Sequence, residues 1–159
     1  MRTQPFNELD KFLKSPYLEI WQIGCATGLR ISDIITLKVS QIKTEKPTIH
    51  EQKTGKSKRI YTPRKVRAEL LKKCADKSDD DFVFSSKSSS GHLTRQAVFK
   101  AFKKASKTAR TKKNIGTHSM RKNYALKQYQ KDHNLKYVQT KLNHDNMAET
   151  ALYLLDEKE

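Results

Sequence analysis

Between Thr117 and Leu155, three polar landmarks interrupt segments that otherwise read as helix. They are Thr117-His118-Ser119-Met120-Arg121, then Leu142-Asn143-His144, then Tyr153. His118 and Arg121 are three apart, so a helix beginning near His118 puts both on one face. His144 follows Arg121 by 23 residues, and Tyr153 follows His144 by nine. Helices of that length fold back on one another, which draws the polar side chains together. Arg, His and Tyr converging in a basic chain point to phosphate chemistry with tyrosine as the nucleophile.

The charge supports an anionic partner. Thirty-three Lys and Arg stand against 17 Asp and Glu, a net charge of +16. Its placement says more than its size. No acidic residue occurs from Phe82 to Lys131, a stretch that holds 13 Lys and Arg. A one-signed field of this extent draws a polyanion, DNA or RNA, although a charged face can also serve solubility alone. Hydrophobic residues make up 35% of the 159, enough for one domain with a modest core.

Other classes are disfavoured. Cys25 and Cys74 lack the paired spacing of a zinc site, and a structural disulfide between them is not expected. No run reaches the length of a membrane span, and Met1-Arg2-Thr3-Gln4-Pro5 has no apolar signal region. The expectation is a soluble, cytoplasmic protein with no metal and no cofactor.

Apolar periodicity predicts the elements. Residues 6–14 read as a short amphipathic helix, with Phe6, Leu9, Phe12 and Leu13 on one side. Ser15-Pro16 starts a second helix, with Ser15 as its cap, which buries Trp21 and stops at Gly28. Ser32 is a candidate cap for a short helix that follows. Thr48–Gln52 and Arg59–Thr62 read as a hairpin around Lys53-Thr54-Gly55-Lys56. Pro63 to Lys77 reads as helix, and Phe82 to Phe84 as a short buried strand or extended piece. Thr94 caps a helix to about Ala109, whose outer face carries Arg95, Lys100, Lys103, Lys104 and Lys107. Thr117 caps the helix of His118 and Arg121, and Asn134 starts the next. His144 to Asn146 reads as a turn before a last helix carrying Tyr153. His50, His92 and His133 read as surface residues. The result is a mainly α fold with a small antiparallel β-sheet, an α+β domain.

Taken singly, each landmark has an ordinary reading. Arg30 sits between Leu29 and Ile31, where an unpaired buried charge is expensive. It is either a structural ion pair, with Asp33 or Glu19, or a phosphate ligand. Tyr153 between Leu152 and Leu154 suits a packing residue, and His118 an ordinary hydrogen-bonded histidine. Lys53 suits a surface lysine near a turn.

Taken together they resemble a family. Thr27-Gly28-Leu29-Arg30-Ile31-Ser32-Asp33 is similar to the first arginine motif of tyrosine recombinases, the phage-integrase family. His118-x-x-Arg121, Leu142-Asn143-His144 and Tyr153 resemble its remaining motifs in order and spacing. The resemblance covers nearly the whole chain and implies a single catalytic domain over 1–159. The N-terminal helical, core-binding domain that most relatives carry is not expected in this chain. It implies a site-specific DNA strand transferase acting through a 3′-phosphotyrosine, on double-stranded DNA and together with other protomers. It assigns Arg30, Lys53, His118, Arg121, His144 and the nucleophile Tyr153 to catalysis, with the general acid placed at Lys53 in the hairpin. Lys56, Lys58, Arg95, Lys100, Lys103, Lys104 and Lys107 are the candidate DNA contacts. The alternative is a regulator that keeps the fold and DNA binding without the reaction.

The residue types suit that chemistry. A free tyrosine has a pKa near 10, so about one in a thousand is phenolate at pH 7, a handicap of roughly 4 kcal/mol. Arginines favour the phenolate and bind non-bridging phosphate oxygens through a planar fork that keeps its charge. The phosphoester bond is kept for rejoining, so the reaction asks for neither ATP nor a metal.

Overall fold

The computed structural model describes residues 9–111, 115–144 and 147–155, with backbone only for Tyr153 and Leu155. After a 3₁₀ turn at Leu9–Phe12 come α1 (Tyr17–Thr27), α2 (Ile31–Ile35) and α3 (Val39–Lys43). A hairpin of β1 (Thr48–His50) and β2 (Ser57–Arg59) follows, then α4 (Arg64–Lys73) and α5 (Arg95–Thr108). The last third is α6 (Ser119–Asp132), α7 (Leu135–Leu142) and α8 (Met147–Leu155). The fold is mainly helical with one two-stranded antiparallel sheet, as the periodicity predicts.

Two apolar clusters share α6. The larger joins α1, α2, α3, α5 and the hairpin, with Trp21 edge-on to Phe102 at a centroid distance of 5.3 Å. The smaller joins Tyr124 and Ala125 of α6 to Val138 and Leu142 of α7, with Leu154 of α8 packed against it. Helix α1 lies so close to α6 that a Cβ on Gly24 would stand 2.2 Å from Met120 Sδ. Gly28 ends α1 at φ 71, and its N–H bonds Gly24 O. That left-handed turn, which glycine adopts without strain, swings the chain into α2 and presents Arg30.

Several boundaries differ from expectation for local reasons. The predicted first helix is only a 3₁₀ turn in its described part, and Phe12 is 42% exposed; Phe6 lies outside the described residues. Ser15 does not cap α1, because its hydroxyl donates to Glu19 at 2.8 Å. Ser32 lies inside α2, behind Arg30 as N-cap. Helix α4 stops at Lys73, and the ammonium of Lys77 donates back to Phe82 O and Val83 O at 3.0 and 3.2 Å. Phe82 to Phe84 is not a strand: it holds one isolated bridge, Phe82 to Lys38, while Val83 and Phe84 fill the core. His118, not Thr117, is the N-cap of α6, and Gly116 N–H donates to Ser119 Oγ at 2.9 Å. Thr94 and Asn134 do cap α5 and α7, accepting from Ala97 N–H and Tyr137 N–H. The turn predicted at His144 to Asn146 falls partly outside the described residues. Among the described residues, no helix is long and apolar enough to cross a membrane.

Candidate active site

The hairpin strands pair in the register Thr48↔Arg59, Ile49↔Lys58 and His50↔Ser57. β1 is shorter than predicted, β2 begins two residues before the predicted Arg59–Thr62 and shares only Arg59 with it, and residues 51–56 form a closed loop. Glu51 N–H donates to Lys56 O at 2.9 Å, and Gly55 N–H donates to Glu51 O at 2.8 Å. Gly55, at φ 70, takes the left-handed position of this turn. The backbone of Gln52 is tied to the α2 side, where its N–H donates to Asp33 Oδ1 at 3.0 Å. Lys53 follows at once, with an exposed side chain.

A cavity of about 470 Å³ opens beside this loop, lined by Arg30, Ile31, Ser32, Gln52, Lys53, Arg95, Thr117, His118 and Arg121. Four of the six catalytic candidates therefore meet there, brought from the α1–α2 junction, the hairpin and the start of α6. A second cavity of about 430 Å³ lies between α1, α6 and the start of α4, and none of the six lines it.

Arg121 is 1% exposed. Its guanidinium donates to Gly28 O at 2.6 Å and to Leu142 O at 3.2 Å, and lies 3.2 Å from His144 Nε2. One side chain thus joins the turn before Arg30 to the C-terminus of α7. His144 Nδ1 stands 2.9 Å from Thr150 Oγ1, which ties the site to α8. Tyr153 is on α8, three residues beyond Thr150, and therefore on the same helical face. Its side chain lies outside the described part of the structure.

Arg30 is an ion pair, but with neither expected partner. Its Nη1 donates to Glu51 Oε2, while Glu51 Oε1 accepts from Asn143 Nδ2. Glu19 is engaged by Lys73 at 2.7 Å, and Asp33 by Gln52. Glu51 was legible in principle. Ile49 points inward, and the period of two along a strand puts Glu51 on the same side.

The electrostatics follow first from burial and then from neighbouring charges. His118 is held below the ordinary histidine pKa by burial and then by Arg121, Arg95, Lys122 and Lys53. The shift favours its neutral form. Burial likewise pushes Asp33 up, with nearby Glu51 adding to it and Gln52 N–H opposing.

The proposed DNA contacts divide. Lys56, Arg95, Lys100, Lys104 and Lys107 are exposed, and Lys103 is half-buried beside the Phe99 ring. Lys58 instead turns inward, donating to Thr27 O at 2.5 Å and lying 5.1 Å from the centre of the Tyr124 ring. Burial, then Arg121, lower its pKa to about 7. There it sits on the carbonyl end of α1, where a cation complements the helix dipole. Among the described residues no cluster of three or more His, Cys, Asp or Glu could hold a metal ion.

Comparison with known proteins bears on the chain as a whole. The model of the phage integrase family matches residues 5–159. The chain is 32% identical over 129 residues to a tyrosine recombinase of Thermosipho africanus, covering 80% of this chain and 45% of that protein. It is 27% identical over 147 residues to the probable integrase/recombinase YoeC of Bacillus subtilis, covering 92% of this chain and 80% of that one. The fold matches a crystal structure of XerA recombinase with a TM-score of 0.79 at 17% identity, covering 96% of this chain and 58% of that one. It matches the XerH site-specific recombinase bound to difH, in a post-cleavage complex, with a TM-score of 0.76 at 19% identity, covering 96% and 48%. The chain thus spans about half the length of several of the proteins it resembles.

Proposed function

The chain belongs to the phage integrase family, and on that premise we propose that it cleaves and rejoins duplex DNA through a 3′-phosphotyrosine at Tyr153. The observation that carries this reading is the convergence of Arg30, Lys53, His118 and Arg121 on one cavity, with His144 bonded to Arg121. A regulator without the reaction would have no use for all six residues.

The chemistry is written on these residues. Tyr153 Oη attacks the scissile phosphorus, and its proton passes towards neutral His118. Arg30 and Arg121 hold the non-bridging oxygens as charge builds on them. His144, accepting from Arg121 through Nε2, holds that guanidinium in place for the phosphate. The bond from phosphorus to the 5′ oxygen breaks, and Lys53 protonates that leaving oxygen to a hydroxyl. Rejoining runs the same steps backwards.

The substrate is double-stranded DNA, met by Lys56, Arg95, Lys100, Lys103, Lys104 and Lys107, in site-specific recombination or integration. Other protomers take part in the strand exchange. A solved structure of similar fold supports this, a lambda integrase tetramer bound to a Holliday junction, which matches with a TM-score of 0.68. Two free cysteines fit a reducing, cytoplasmic setting.

The test is trapping on a nicked duplex, read on a denaturing gel. Wild type forms a covalent adduct, while Tyr153→Phe binds DNA and forms none. An undiminished adduct in Tyr153→Phe would remove Tyr153 as nucleophile.

A further inference from the structure

We propose that Glu51 is a positioning residue for this reaction, fixing the Arg30 guanidinium and the root of the Lys53 loop before DNA arrives. The proposal rests on the cleavage reading above.

Glu51 is 2% exposed, yet it carries a full set of partners. One carboxylate oxygen accepts from Arg30 Nη1 and the other from Asn143 Nδ2. Its own N–H and C=O close the loop that holds Lys53, through Lys56 O and Gly55 N–H. Three segments distant in sequence therefore meet on one side chain: the N-cap of α2, the hairpin loop and the C-cap of α7.

Each connection bears on a reacting group. Arg30 lines the cavity, so Glu51 holds one corner of a guanidinium whose other N–H groups remain for phosphate. Lys53 is two residues from the clamp, and Gln52 between them is tied to Asp33 and, through its side chain, to Thr36 Oγ1 at 3.0 Å. Asn143 immediately precedes His144. It sits at φ 55, a left-handed position that asparagine tolerates better than most residues.

The charge balance explains why a carboxylate is needed. Arg30 and Arg121 line the same cavity, and two guanidiniums there repel each other until phosphate neutralises them. A buried anion against Arg30 lowers that repulsion in the free protein. It also keeps the arginine from swinging into solvent, so less reorganisation remains for the transition state.

The experiment compares wild type, Glu51→Gln, Glu51→Asp and Asn143→Gly. Glutamine accepts from only one of the two donors and turns an NH₂ towards the other. Asn143→Gly removes the amide while keeping a residue at ease at φ 55. Single-turnover adduct formation, DNA affinity, thermal melts and the ¹⁵N signal of the Arg30 guanidinium are measured on each.

Glu51→Gln is expected to keep DNA affinity and slow adduct formation about 10- to 100-fold, by analogy with the loss of residues that orient metal ligands. Glu51→Asp recovers part of the rate, and Asn143→Gly slows it less than Glu51→Gln does. The Arg30 signal, exchange-protected in wild type, loses protection in Glu51→Gln. A wild-type rate in a folded Glu51→Gln overturns the proposal. If Glu51→Gln does not fold, a wild-type rate and Arg30 signal in Asn143→Gly overturn it instead. Should wild type form no adduct, the cleavage reading fails. The Arg30 signal then decides alone: lost protection sustains the clamp, and an unchanged signal overturns it.

Discussion

Arg121 Nη2 and His144 Nε2 stand 3.2 Å apart. A guanidinium only donates, so Nε2 accepts and the ring proton sits on Nδ1, facing Thr150 Oγ1. Arg121 is thus committed to the fold as well as to its proposed role at phosphate. Arg121→Ala strips the donor from two buried carbonyls, Gly28 O and Leu142 O, each costing about 1–3 kcal/mol. A fall in Tm of about 4 °C or more is expected. Arg30→Ala leaves the buried Glu51 carboxylate without its cation and is expected to lower Tm as well. Both slow the chemical step by about 100-fold or more, as loss of a preorganised donor does. Melts beside single-turnover rates check this. An unchanged Tm in Arg121→Ala would show that the bonds from Arg121 to the backbone carry no stability.

The rate of adduct formation should depend on His118. Its pKa is lowered, first by burial and then by four cations, so the neutral form extends below the usual histidine range. The rate is expected to hold from pH 7 down past 6.5 and to fall only as His118 protonates below that. His118→Gln removes this limb of the profile. A wild-type rate already halved at pH 6.5 or above would contradict the crowding of charge around the ring.

Lys58 predicts a pH effect on stability. Its folded pKa is lowered to about 7 from 10.5. Between those values the unfolded chain binds one proton more than the folded one, so stability rises with pH across that window. Relative to Lys58→Met, wild type is expected to gain Tm steadily from about pH 7 towards pH 10. A difference between the two proteins that does not change with pH would show that Lys58 stays protonated throughout.

How much of this was legible depends on the range of the interaction. Helix periodicity, the Gly28 stop and the caps at Thr94 and Asn134 are local, and the structure keeps them. Caps at Ser15 and Thr117 failed because a neighbouring group took the hydroxyl or the position: Glu19 in one case and His118 in the other. The partner of Arg30 depended on a contact 21 residues away, and local charge spacing pointed to Asp33 or Glu19 instead. Lys58 looked like one more basic residue near a turn. Only its register opposite Ile49, whose side chain is buried, reveals that it faces inward.

Cleavage should not need a divalent metal. Every group assigned to proton transfer or charge stabilisation is a side chain already within or beside the cavity. Adduct yield on a nicked duplex is expected to be unchanged in excess EDTA. Loss of adduct in EDTA, restored by added Mg²⁺, would sink the assignment and favour a nuclease-like reaction.

Binding by this chain alone should be weak, salt-dependent and nearly blind to sequence. The acid-free stretch from Phe82 to Lys131 places Lys100, Lys104 and Lys107 on the exposed side of α5, with Arg95 at its start beside the cavity. Such side chains reach phosphates, which fix position but carry little sequence information. Lys58 is withdrawn from this surface by its bond to Thr27 O. With about five phosphate contacts, log affinity should fall against log salt with a slope of about −5, and Kd should lie near 10⁻⁴–10⁻⁶ M at physiological salt. Paired replacement of Lys100 and Lys104 by Ala lowers the slope by about 2 while leaving the ranking of sequences unchanged. Labelled duplexes of several sequences, titrated at three salt concentrations, provide the measurement. Nanomolar, sequence-selective binding with a shallow slope would mean that base edges, not phosphates, carry recognition by this domain.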